Sequence, residues 1–86
     1  PAMEAAEAAK AAGNDAWRLG DLDEAVRCFS RAIDLAEGEG GSNANLPVYY
    51  SNRSAAYLKQ GDGVKALLDA EKCTTLDETW AKGERR

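Results

Sequence analysis

Histidine is absent from the 86 residues, and cysteine and proline occur only twice each. Without an imidazole the chain lacks the commonest general base near neutral pH and the commonest metal ligand. Cys28 and Cys73 stand alone with no Cys-x-x-Cys spacing, so no zinc site is expected. They read instead as small buried helix residues in a reducing compartment rather than as a disulfide. There is no Gly-x-Ser-x-Gly, and the glycines at 38, 40 and 41 lack both a preceding strand and the Lys-Ser/Thr that would make a phosphate loop. Neither an enzyme nor a bound cofactor is expected, and no catalytic residue is assigned.

Other absences narrow the class further. No apolar run approaches the roughly 18–20 residues of a membrane span, and the alanine-rich start lacks a basic n-region, so no membrane association is expected and the expected location is cytoplasmic. Pro1, Ala2 and Met3 look like a cloning remnant ahead of a native start. The net charge is −4 and no Lys/Arg cluster is long enough to follow a phosphate backbone, which argues against nucleic acid. Sustained Val/Ile/Thr alternation is missing too, whereas Ala, Leu, Glu, Asp and Lys abound, which favours helix over sheet.

Residues 5–19 carry Ala6, Ala9, Ala12, Gly13, Ala16 and Trp17 at helical spacing, and Gly20-Asp21 interrupts them. Leu22, Ala25, Val26, Phe29, Ala32, Ile33 and Ala36 then form an apolar stripe, with Asp23, Glu24, Arg27, Arg31 and Asp34 on the opposite face. The Gly/Ser/Asn stretch that follows holds no helix. Asn45 as cap and Pro47 in the first turn predict a third helix over 46–60, with Tyr50, Ala56 and Tyr57 packing. Gly61-Asp62 repeats the earlier turn. Val64, Leu67, Leu68 and Cys73 predict a fourth helix ending near Leu76, after which Asp77-Glu78-Thr79 offers a cap for a fifth helix from Trp80.

Gly20 recurs as Gly61, 41 residues on, with Ala25 and Ala66 at matching offsets and Ala32 matched by Cys73. The spacing exceeds the roughly 34-residue tetratricopeptide period by about seven residues, which the Gly/Ser/Asn loop absorbs. With Gly13, Gly20, Leu22, Ala25, Phe29 and Ala32 in one unit and Tyr57, Gly61 and Ala66 in the next, residues 5–86 resemble the tetratricopeptide repeat family. The resemblance implies an all-α fold, helix-turn-helix repeats in a short right-handed solenoid. Residues 1–86 then form a single module, with unit one over about 5–37, a loop at 38–46, unit two over about 47–79 and the start of unit three at 80–86. Gly63 departs from the pattern where the first unit has Leu22, and Glu37 and Glu78 stand where a proline often ends a unit.

The resemblance also implies that the first helix of each unit lines a concave groove. Lys10 and Asn14 share a helix face, as do Lys82 and Arg86, and Asn52 lies in the corresponding helix of unit two. Lys and Arg supply charge and charge-assisted bonds to a carboxylate, and Asn donates without adding charge. The set Lys10, Asn14, Asn52, Lys82 and Arg86 resembles the carboxylate clamp of co-chaperones that bind the Glu-Glu-Val-Asp tails of cytosolic heat-shock chaperones of the seventy- and ninety-kilodalton classes. Trp17, Ala55 and Lys59, one turn along, are candidates for the groove wall. Glu7 shares the face of Lys10 and is placed to pair with it. Trp80 is expected to anchor the fifth helix on the fourth, and Arg53 and Arg85 to be outer-face charges.

Two functions remain open at this level. One is a chaperone-tail receptor of the co-chaperone type. The other is a scaffold segment that packs against another domain or an internal helical peptide with no need for a terminal carboxylate. Because repeat units bury apolar faces against neighbours, Val64, Leu67, Leu68 and Trp80 are expected near an uncovered surface, and self-association of the module is a further expectation.

Overall fold

The computed structural model describes residues 2–38 and 45–84, with side chains described for 4–38 and 45–76. The described residues form helices α1 (Ala2–Arg18), α2 (Leu22–Glu37), α3 (Leu46–Lys59) and α4 (Gly63–Glu84), with short turns between α1 and α2 and between α3 and α4. Each lies against the next in chain order, so α1–α2 and α3–α4 are two helix-turn-helix units joined through α2 and α3.

The two turns are built alike. Gly20 and Gly61 hold φ of +81° and +88°, a left-handed conformation that costs a residue with a Cβ. This lets Asp21 N–H reach Ala16 O at 2.9 Å and Asp62 N–H reach Tyr57 O at 2.9 Å, satisfying the last carbonyls of α1 and α3. The aspartates then cap the following helices, Asp21 Oδ1 accepting from Glu24 N–H at 3.1 Å and Asp62 Oδ1 from Lys65 N–H at 3.1 Å. One Gly-Asp dipeptide therefore ends one helix and starts the next.

Small residues let the helices close. A Cβ on Gly13 would sit 2.5 Å from the Phe29 ring, so α1 can approach α2 only with glycine there. Phe29 is buried with Ala16, Ala25 and Ala56, drawing α1, α2 and α3 into one cluster. A second cluster gathers Ala6, Ala9, Ala32, Ile33, Ala36, Leu46, Tyr49 and Tyr50, with Cys73 and Leu76 of α4 against it. Tyr50 donates to Glu37 Oε2 at 2.6 Å, tying α3 to the end of α2. Burial, reinforced by that carboxylate, pushes the Tyr50 hydroxyl up to about 12, so it stays a donor at neutral pH.

Four expectations need correction or refinement. Arg53 is not an outer-face charge. Its guanidinium grips Asp69 of α4 through Nε at 2.7 Å and a second nitrogen at 2.9 Å, and donates to Ser30 Oγ of α2 at 3.1 Å. It also lies 5.5 Å from the Tyr50 ring centre. The inner face of α4 is thus Ala66, Asp69 and Cys73, which leaves Val64, Leu67 and Leu68 at least 60 % exposed, on the uncovered surface expected for them. Asn45 precedes α3 but makes no side-chain cap, because its amide turns to α1. Cys28 and Cys73 are both half-buried rather than buried, the Cys28 thiol lying 3.6 Å from Glu24 Oε2.

The fourth correction concerns the end of the chain: α4 continues past Leu76 to Glu84, where a break and a fifth helix were expected. Between Gly63 and Gly83 there is neither Gly nor Pro, so nothing in the backbone forces a stop. The side chains of Trp80 and Lys82, and all of Arg85 and Arg86, lie outside the described residues.

Gly61 and Gly63 form a controlled pair, since a Cβ at either would meet open space but only Gly61 has positive φ. Gly61→Ala should destabilise the fold by about 1–2 kcal/mol, whereas Gly63→Ala should be neutral or gain up to about 0.5–1 kcal/mol. Thermal melts followed by circular dichroism separate the two, because about 1 kcal/mol moves Tm by roughly 4–8 °C in a domain of this size.

Candidate peptide-binding groove

Three cross-connections show that α1 and α3 run the same way. Glu7 meets Tyr49, Asn14 shares a pocket with Asn52, and the Lys59 ammonium lies 5.7 Å from the Trp17 ring centre. Residues 7, 10, 14 and 17 form one stripe of α1, and 49, 52 and 59, with Asn45 just before the helix, form the matching stripe on the α3 side. Between them runs a groove with Phe29 of α2 beneath it.

At the centre of the groove is a pocket of about 170 Å³ lined by Asn14, Trp17, Phe29, Asn52 and Ala55. Its walls combine two carboxamides, each able to donate and accept, with two aromatic rings. Such a space suits one residue-sized group carrying a polar end and an apolar body. Trp17, Ala55 and Lys59, the candidate wall, lie together here: the first and second line the pocket and the third packs its ammonium on the Trp17 ring.

Lys10 stands one turn before Asn14 and is partly buried. Its ammonium pairs with Glu7 Oε1 at 3.2 Å, as the shared face suggested. The other Glu7 oxygen, Oε2, accepts from the Tyr49 hydroxyl and from the Asn45 amide at 3.4 Å. Since both those donors belong to the α3 side, the Lys10–Glu7 pair sits on the groove side of α1. Chiefly the Tyr49 bond, opposed by partial burial and aided by Lys10, holds the Glu7 carboxyl below the ordinary glutamate range.

Lys10, Asn14 and Asn52 are therefore brought to one groove. Lys82 lies on α4 with its side chain outside the described residues, and Arg86 lies outside them altogether. What the sequence reading passed over is the Glu7–Tyr49–Asn45 cluster. Its signal was the helical spacing 45, 49, 52, 56, 59, which puts Tyr49 rather than Tyr50 on the Asn52 face.

The sequence profile of the tetratricopeptide repeat family matches residues 4–79. The chain belongs to that family. This tetratricopeptide repeat chain is 43% identical over 81 residues to the "Heat shock protein sti1 homolog" of Schizosaccharomyces pombe, covering 94% of the chain and 12% of the relative. It is 44% identical over 81 residues to the "Hsp70-Hsp90 organizing protein" of Triticum aestivum, covering 94% and 13%. Human "Serine/threonine-protein phosphatase 5" is 35% identical over 85 residues, covering 99% and 16%. The repeat chain thus spans about an eighth to a sixth of the length of these relatives. No solved structure matches it. The family match and the similarity to these proteins support an interaction module. No described helix is long and apolar enough to cross a membrane.

The lowered Glu7 value has a consequence for stability. Because the carboxyl is more acidic folded than unfolded, its contribution is present above the ordinary value of 4.5 and is lost as pH falls through the lower native value. Tyr49→Phe removes the largest cause of the shift, so its melting temperature should depend less on pH between about 5 and 3 than that of the parent chain. Equal slopes would show that the hydroxyl does not hold the carboxylate in solution.

Proposed function

We propose that the groove binds the free C-terminus of an acidic peptide ending in Glu-Glu-Val-Asp, the tail type of the cytosolic heat-shock chaperones, through a carboxylate clamp. The observation that carries this reading is the pocket shared by Asn14 of α1 and Asn52 of α3. Two amide donors from separate helices converge there, with Lys10 one turn away to supply positive charge. Lys82 and Arg86 complete the clamp in this proposal, and the Triticum aestivum relative named as an Hsp70-Hsp90 organizing protein supports the choice of partner.

Each component has a defined task. Asn14 and Asn52 donate to the terminal carboxylate without changing the charge of the groove, and Lys10, Lys82 and Arg86 neutralise it and the neighbouring acidic side chain. Trp17, with the Lys59 ammonium on its ring, forms a wall for the residue before the terminus. Charge-assisted bonds worth roughly 1.5–3 kcal/mol each, set against the entropy of ordering a flexible tail, give an affinity in the micromolar range. The role is that of a co-chaperone interaction module in the cytoplasm, with no catalytic step.

Calorimetric titration with the free-acid peptide and its C-terminal amide tests this. The free acid should bind, the amide should bind at least about tenfold more weakly, and Asn14→Ala should lose about tenfold for the acid while its circular dichroism spectrum stays unchanged. Equal affinity of acid and amide would favour the scaffold reading, in which an internal peptide or another domain packs in the groove.

A further inference from the structure

Lys10 does not wait for its ligand as an unpaired cation. Glu7 Oε1 lies 3.2 Å from its ammonium, and Glu7 is not an ordinary mobile surface carboxylate. Its second oxygen accepts from Tyr49, a fully buried residue of α3, and from Asn45 at the start of that helix. An isolated i,i+3 pair on one helix swings in and out of contact at little cost. Here the carboxylate is fastened from the opposite wall, so the cation is offered to an incoming ligand already half neutralised.

We propose that Glu7 is a specificity-determining residue of the groove: fixed by Tyr49 and Asn45, it competes with an incoming carboxylate for Lys10. This rests on the reading of the groove as a carboxylate site. A ligand carboxylate must either share the Lys10 ammonium with Glu7 at close range, which costs like-charge repulsion, or break the link to α3. Binding is thereby weakened for acidic peptides as a class. A larger share of the discrimination falls on the neutral contacts at Asn14, Asn52 and Trp17, which recognise shape and hydrogen-bonding pattern rather than charge. Indiscriminate capture of acidic chains is held down by the same means.

The test is a double-mutant cycle read by calorimetric titration of the free-acid Glu-Glu-Val-Asp peptide. Glu7→Gln keeps an oxygen for the Tyr49 hydroxyl while removing the charge, and Glu7→Ala provides a second variant should the first melt early. Glu7→Gln should bind about two- to fivefold tighter than the parent chain at low salt. The gain should fade as ionic strength rises and should vanish in a Lys10→Ala background. Unchanged or weaker binding by both Glu7 variants would overturn the proposal, as would a gain that persists without Lys10, since that would be general repulsion rather than competition. If the parent chain fails to distinguish the acid from the amide, the carboxylate site itself is wrong and this inference falls with it. A parent that does distinguish them but is insensitive to Glu7 leaves the site standing and refutes only the competition.

Discussion

Phe29 is the side chain through which three of the described helices meet. Its ring is 1 % exposed, and the buried residues gathered around it are small: Gly13 and Ala16 on α1, Ala25 on its own helix, Ala56 on α3, with Trp17 and Val26 packed at the edge. A Cβ on Gly13 would overlap the ring, so the approach of α1 to α2 is fixed by the absence of one carbon atom. The same ring forms the floor of the pocket between Asn14 and Asn52. Packing and site are therefore one construction. The distance between the two amides is set by what lies beneath them, and any change that lets α1 move on Phe29 also moves Asn14 relative to Asn52.

The second unit is held differently. Asp69 is the buried charged residue among those described, 6 % exposed, and Arg53 meets it with two parallel bonds while also reaching Ser30. Such a pair gives little net stability against an apolar replacement, but it fixes geometry, because displacing either partner leaves a buried charge exposed to a poor environment. It joins α4 to α3 and α3 to α2 on the side away from the groove, so α3 is gripped on two faces. Glu7 and Tyr49 add a third attachment at the groove side itself. The chain carries a net charge of −4, and a carboxylate ligand has to be drawn against that background by a few locally placed cations.

Much of this was legible in the sequence because the repeat imposes its own punctuation. The two Gly-Asp turns, the apolar stripe of α2 and Pro47 at the head of α3 each have a local physical cause, and local causes survive folding. Lys10 and Asn14 could be placed on one helix face by i,i+4 spacing, whereas Asn52 was joined to them only through what the repeat resemblance implies. The groove-wall residues Trp17, Ala55 and Lys59 followed from the same periodicity. What could not be read were the partnerships across sequence distance. Arg53 looks like any helical arginine until Asp69 is brought opposite it. Glu7 looked like a partner for Lys10 but gave no sign of Tyr49, which stands 42 residues later. The end of the fourth helix is not legible because a polar Asp-Glu-Thr run reads as a cap. Such residues cap only where the chain leaves the helix, and no glycine or proline makes it do so there.

The central claim is that a peptide terminus seats between α1 and α3 over Phe29. Its most direct test is a heteronuclear magnetic resonance titration of the labelled chain with the free-acid peptide, following side-chain amides and indole groups. The account predicts that the largest shifts fall on the carboxamides of Asn14 and Asn52 and on the Trp17 indole, with the exposed Leu67–Leu68 face of α4 unmoved. Shifts concentrated on that face of α4, with Asn14 and Asn52 unperturbed, would contradict it.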